Sequence, residues 1–195
     1  MNKTHVNSLK PSQQQLDSLI KLYQDRQYVD AEKLSLSITK EFPKHPFAWK
    51  VLGAILKQKG KISESLIVCQ KSIQLDPQDA KAHNNLAIIL ISQSRLEEAE
   101  TSLRQAIELK PDLAEAHNNL GIILQKRRKF TDACSAYIQA INFNPDFTDA
   151  YENLGMVINK VRFNSSNIEL YPLLIRLLSM GNLVRPRDLA SSILS

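Results

Sequence analysis

Little in this chain serves as punctuation or as chemistry. Its 195 residues include only five Gly and eight Pro, too few turn formers for an all-β chain of many short strands. The two cysteines, Cys69 and Cys134, have no CxxC or Cys/His spacing. They read as reduced, buried small hydrophobes rather than metal ligands or a disulfide framework. The first residues, MNKTHVNSLKPSQQQ, lack the apolar segment of a signal peptide. The longest apolar runs, such as LAIILI at 86–91, fall far short of the roughly 20 residues of a membrane span. A soluble, cytoplasmic protein without a membrane partner is expected. The net charge of +5 is too small and too diffuse to imply nucleic acid by itself, and no aromatic interleaving of the basic residues points to single strands.

Catalytic motifs are missing as well. There is no GxGxxG, GxxxxGK, GxSxG or HExxH, each of which would carry a defined chemistry. Paired acids such as Glu97 and Glu98 stand where a helix begins and suit the positive end of its dipole. The chain is therefore expected not to be an enzyme and to hold no cofactor and no metal. His83 and His117 recur at equivalent places; packing is one reading, and a metal pair is the other, without a carboxylate or Cys at ligand spacing to support it.

What the chain does have is a core and a period. Hydrophobic residues make up 43% and charged residues 23%, a balance that favours a buried core over disorder. Pro43, Pro77, Pro111 and Pro145 recur at one constant step. The same step relates Ala31, Ser65, Ala99 and Ala133, then Leu52, Leu86, Leu120 and Leu154, then Gly53, Ala87, Gly121 and Gly155. Each period reads as two amphipathic helices, for example AKAHNNLAIILISQ (80–93) and EEAETSLRQAIELK (97–110), joined by a turn and ended by proline. The small residues let antiparallel helices approach closely. Trp49, His83, His117 and Tyr151 share one slot and are expected to fill space against the neighbouring helix.

Trp49, Leu52, Gly53, Ala99 and Pro111 at this step resemble the tetratricopeptide repeat, a helix–turn–helix unit of about 34 residues. The resemblance covers residues 12–163 and implies an all-α fold, a right-handed α-solenoid with C-terminal capping helices. It divides the chain into a leader (1–11), a degenerate first unit (12–45), three further units (46–79, 80–113 and 114–147), the first helix of a partial unit (148–163) and divergent C-terminal helices (164–195) that cap the array or link to a missing domain. The first unit departs from the pattern, with Ser18 and Leu19 where the others have Leu-Gly or Leu-Ala, and the second has Ser65 and Ser72 where Ala is usual.

The sequence AHNNL occurs at 82–86 and again at 116–120. Asparagine costs several tenths of a kcal/mol of helix propensity relative to alanine. Asn85 and Asn119 nevertheless continue at Asn153, with Asn84 and Asn118 preceding the first two. In a tetratricopeptide array the first helices line the concave face, so equivalent residues form a column. Helices pack about 8–10 Å apart and an extended peptide advances about 3.3 Å per residue. A column of amides would therefore meet every third residue of such a peptide, and each amide both donates and accepts. This resembles the Asn ladder of the O-linked N-acetylglucosamine transferase family, which holds the main chain of bound peptides, and the resemblance carries over to Asn85, Asn119 and Asn153. The alternative is that the asparagines bond within or between helices, or record duplication.

On the same face the projection places Lys50, Lys57, Gln125, Lys126, Asn159 and Lys160, with Ile88, Ile91, Ile122 and Met156 as an apolar floor. That mixture suits an extended protein or peptide ligand with some acidic character. Ala54 and Glu115 stand where the chaperone-tail clamp of the family needs Asn and Lys, which argues against that ligand. The run Lys126, Arg127, Arg128, Lys129 falls on a turn, either solvated or a basic docking patch. A second functional reading remains open: FPKHPFAWKVLGAILKQKG and the C-terminal ELYPLLIRLLSMGNLVRPRDLASSILS resemble segments of bacterial transferases linked to these repeats, so the chain would be the substrate-docking front of a glycosyltransferase, sulfotransferase or methyltransferase whose catalytic domain it lacks. A third is self-association through an incompletely capped end.

Overall fold

A computed structural model describes residues 10–158 and 160. The described residues form helices and turns only, in the order α1 (Gln13–Gln24), α2 (Tyr28–Glu41), α3 (Pro46–Gln58), α4 (Ile62–Leu75), α5 (Ala80–Ser92), α6 (Leu96–Leu109), α7 (Ala114–Lys126), α8 (Phe130–Phe143) and α9 (Thr148–Ile158). The starts of α3, α5, α7 and α9 keep the step of the prolines. The expected C-terminal capping helices lie outside the described residues.

Local chemistry explains the boundaries. Ser12 caps α1: its hydroxyl accepts from the Gln15 N–H, and the Gln15 side chain accepts from the Ser12 N–H, satisfying two otherwise orphaned donors. Pro46 starts α3, where its missing N–H is not needed. Asp79 caps α5 through the N–H groups of Lys81 and Ala82. The turns between paired helices pass through the left-handed region at Arg26, Gly60, Ser94 and Arg128, equivalent positions of successive repeats. Only Gly60 has the side chain, or lack of one, that this backbone prefers.

The chain divides into two compact units, residues 1–93 and 94–195. In the first, Leu19, Ala31, Ile38, Phe42, Ala48 and Ile55 make a buried cluster, with Tyr23, Tyr28, Leu34 and Val51 packed on it. The small slot is fully buried at Ala31 and Ser65. Serine is accommodated because its hydroxyl finds a partner: Ser65 donates to the Gly53 carbonyl at 2.6 Å and Ser72 to the Pro46 carbonyl at 3.2 Å, which removes the penalty of a buried unpaired hydroxyl. Glu32 joins α2 to the α3–α4 turn by accepting from Lys59 and pairing with Lys61.

In the second unit, Ala133, Cys134, Tyr137, Ala140 and Ile141 of α8 pack with Ala150, Tyr151, Leu154, Val157 and Ile158 of α9. Tyr137 lies against Gly121 of α7: a Cβ there would sit 2.4 Å from the ring. The counterpart in the first unit is Gly53 against the sulfur of Cys69. Where the first-helix slot holds Leu19, the matching second-helix slot holds Ser35, and both are fully buried. Large and small have changed sides, which is the physical content of the degenerate first repeat. Glu100 of α6 accepts from Arg104 and from Arg127 beyond α7, the same bridge that Glu32 makes two repeats earlier.

The Trp/His slot is more than filler. The Trp49 ring N–H donates to the Pro43 carbonyl at 3.0 Å. His83 and His117 make the same contact through Nε2 to the carbonyls of Pro77 and Pro111, at 3.0 and 2.8 Å. Each ring thus ties a first helix to the proline turn before it, and each Nε2 must carry the proton, since a carbonyl only accepts.

Candidate functional site

An open groove lies in the second unit between α7 and α9, with a volume of about 640 Å³. Its apolar lining is Ile122, Phe130 and Met156; Gln125 and Asn153 contribute amides, and Lys126, Arg128 and Lys160 contribute cations. Helical spacing places them: Ile122, Gln125 and Lys126 lie on one face of α7, and Asn153 and Met156 on one face of α9. Arg128 and Phe130 enter from the turn and from the start of α8. Lys160 stands 5.5 Å above the Phe130 ring, a cation–π contact.

The amides are held, not loose. The Tyr137 hydroxyl donates to Oε1 of Gln125 at 2.8 Å, so the orientation of that amide is set from the core. Burial pushes the Tyr137 hydroxyl well above its ordinary pKa, which keeps it a donor throughout the neutral range. Asn153 donates through Nδ2 to Oδ1 of Asn118 at 3.0 Å. Asn118 is 5% exposed and Asn84 is 7% exposed, whereas Asn85, Asn119 and Asn153 are half-buried. The two members of each NN pair therefore differ: the first is buried and the second reaches the surface. In the Asn118–Asn153 pair the inner amide of one repeat holds the outer amide of the next. The bond spans one residue more than the repeat step, so it is invisible to a search in strict register.

Other expected groove residues are placed differently. Lys50 is not a free cation, because it pairs with the Asp79 carboxylate that caps α5, with its ammonium 5.6 Å from the Phe47 ring. Lys57 is half-buried; burial lowers its pKa, partly opposed by Cys69. Lys126 and Lys160 are exposed. Asn159 lies outside the described side chains. The basic run is divided: Arg127 bridges to Glu100 and Glu97, while Lys126 and Arg128 line the groove. Arg128 and Phe130 were not singled out for the groove from the sequence. The signal for Arg128 was its place at the slot held by Gly60, where the chain reverses and the side chain swings outward.

No group of three or more His, Cys, Asp or Glu able to hold a metal occurs among the described residues. Cys69 and Cys134 are free and buried, with burial raising their thiols to about 11 and about 12; such thiols are poor nucleophiles. No described helix is long and apolar enough to cross a membrane.

Comparison with known proteins follows the same repeat. A TPR repeat profile matches residues 88–127, a tetratricopeptide repeat profile matches 68–101, and another matches both 48–79 and 114–147. No curated protein sequence matches the chain. Among solved structures, PilF of Pseudomonas aeruginosa superposes with a TM-score of 0.72 at 18% identity, over 89% of this chain and 78% of that one. YrrB, described as a TPR protein with an unusual peptide-binding site, gives 0.65 at 16% identity over 89% of each chain. The O-GlcNAc transferase of Thermobaculum terrenum gives 0.65 at 20% identity, over 73% of this chain and 27% of that one. These likenesses are of fold.

Proposed function

Since this chain is a tetratricopeptide repeat protein, we propose that it is a non-enzymatic interaction module that binds extended peptide segments along the face of its first helices, with asparagine amides gripping the peptide main chain. The observation that carries this reading is the open α7–α9 groove with amides oriented from beneath, Gln125 by Tyr137 and Asn153 by Asn118. An amide fixed before the ligand arrives loses less freedom on binding. Asn153 keeps its Oδ1 and its second N–H beyond the bond to Asn118, enough to meet one peptide N–H and one C=O. Asn119 occupies the same slot in the preceding repeat of the second unit, and Asn85 the same slot in the first unit; both are half-buried, and each is proposed as a main-chain contact. YrrB, on the same fold, is described as having a peptide-binding site, which supports a peptide as the class of ligand.

The test uses labelled peptides enriched from a random dodecapeptide display library on the intact chain. Replacing Asn85 and Asn119 together with Ala is expected to weaken binding about tenfold or more, two hydrogen bonds at about 1 kcal/mol each, with helical circular dichroism unchanged. Unchanged affinity in a variant that keeps its helicity would remove the ladder.

A further inference from the structure

The cations of the second unit are unevenly used. Arg127 is taken up by Glu100 and Glu97, Arg104 by Glu100, and Arg95 by Glu98. Lys126, Arg128 and Lys160 are different. All three line the α7–α9 groove, all are exposed, and none pairs with a carboxylate among the described residues. No Asp or Glu among the described residues lines the groove. Three positive charges converging on one concavity without a counter-charge among the described residues repel one another, and an anionic ligand relieves that repulsion.

The same cavity is not simply a basic patch. Met156 is 55% exposed there, beside Ile122 and Phe130. An exposed methionine offers an adaptable apolar contact, and the Phe130 ring already carries Lys160 on its face. A bare phosphate chain would use the cations and leave this apolar floor wet. A peptide uses both. In an extended chain, side chains two residues apart point the same way, about 6–7 Å from each other, so one can reach the cationic rim while the other lies on the floor.

We infer that the α7–α9 groove selects acidic–apolar peptide segments, with an Asp or Glu side chain between Lys126, Arg128 and Lys160 and an apolar side chain two residues away on Ile122, Phe130 and Met156. This rests on the peptide-groove reading and adds its specificity. The rungs hold the main chain without regard to sequence, and this end of the groove reads two side chains.

The experiment is a random dodecapeptide display selection on the intact chain and on a variant carrying Lys126→Gln, Arg128→Gly and Lys160→Gln. All three positions are exposed, and Arg128→Gly places glycine at a φ of 60°, so the variant is expected to fold. The intact chain should enrich peptides with an acid two residues from Leu, Phe or Met, and the variant should lose that preference. On the intact chain, exchanging the acid for its amide in an enriched peptide should weaken binding about tenfold at low salt and less at high salt, a comparison that needs no variant. Enrichment of peptides without acids, of acids without an apolar partner, or of the same motif by the variant would overturn the inference and leave the groove reading standing. Enrichment of no peptide at all would overturn both.

Discussion

Gly121→Ala is expected to destabilise the α7–α8 pair by about 1–3 kcal/mol, although alanine is the better helix former by about 1 kcal/mol. The added Cβ would lie 2.4, 2.6 and 2.9 Å from three ring carbons of Tyr137. The ring cannot retreat, because Tyr137 is fully buried among Ala133, Cys134, Ile141, Tyr151 and Leu154. Its hydroxyl is also committed to Gln125. In sequence, the third repeat combines a larger residue at the first slot with a smaller one at the second, Ala87 and Leu103. Tyr137→Leu should therefore rescue Gly121→Ala, so that the double variant is more stable than the sum of the single changes implies. Hydrogen exchange of α7 and α8 amides is the appropriate reading, since repeat arrays need not unfold in one step. Strictly additive losses would show that the two side chains do not compete for one space.

The second large effect concerns Glu100. Its carboxylate, 14% exposed, accepts from Arg104 at 2.7 Å and Arg127 at 2.6 Å. The hydrogen bond from Arg104 lowers its pKa most, with the charges of Arg104 and Arg127 adding to the effect and partial burial opposing it. The folded pKa is thus below the ordinary value of 4.5. A carboxyl with a depressed folded pKa contributes stability that is fully present above the unfolded value and is lost as pH falls through the folded one. Glu100→Gln should cost about 1–2 kcal/mol at pH 7, the scale of charge-assisted hydrogen bonds that remain partly solvated. The gap to the unmodified chain should close under acid, where the natural carboxyl also becomes neutral. Chemical unfolding at a series of pH values reads this directly. A gap independent of pH would assign the loss to shape rather than charge.

The period, the helix pairs and the close contacts were legible in the sequence because each depends on one residue type at one slot. Proline ends a helix wherever it stands just past the last turn, and glycine or alanine marks a close approach. Interactions that run out of register were not legible. The Asn118–Asn153 bond crosses by one extra residue, and the pairing of Lys50 with Asp79 removes a cation that helical projection assigns to the groove. The run at 126–129 divides because the chain reverses at Arg128, sending Arg127 to Glu100 and its two neighbours, Lys126 and Arg128, to the groove. The exchange of bulk between Leu19 and Ser35 hides the first repeat from a pattern that expects the small residue on the first helix.

The asparagines raised the central question, and their geometry narrows it. An inner asparagine that orients an outer one, as Asn118 does Asn153, gives the polar residues a packing role, and on the proposed function the outer amide is the one offered to a ligand. If the outer amides grip a peptide main chain, the grip must be sensitive to the backbone and not only to side chains. The most direct measurement takes a peptide enriched on the intact chain and replaces its backbone amides by esters, one at a time, removing a single N–H donor while keeping every side chain. The account predicts that esters weaken binding at positions about three residues apart, the ratio of helix spacing to peptide rise, and have little effect between them. Equal affinity for every ester analogue would contradict it.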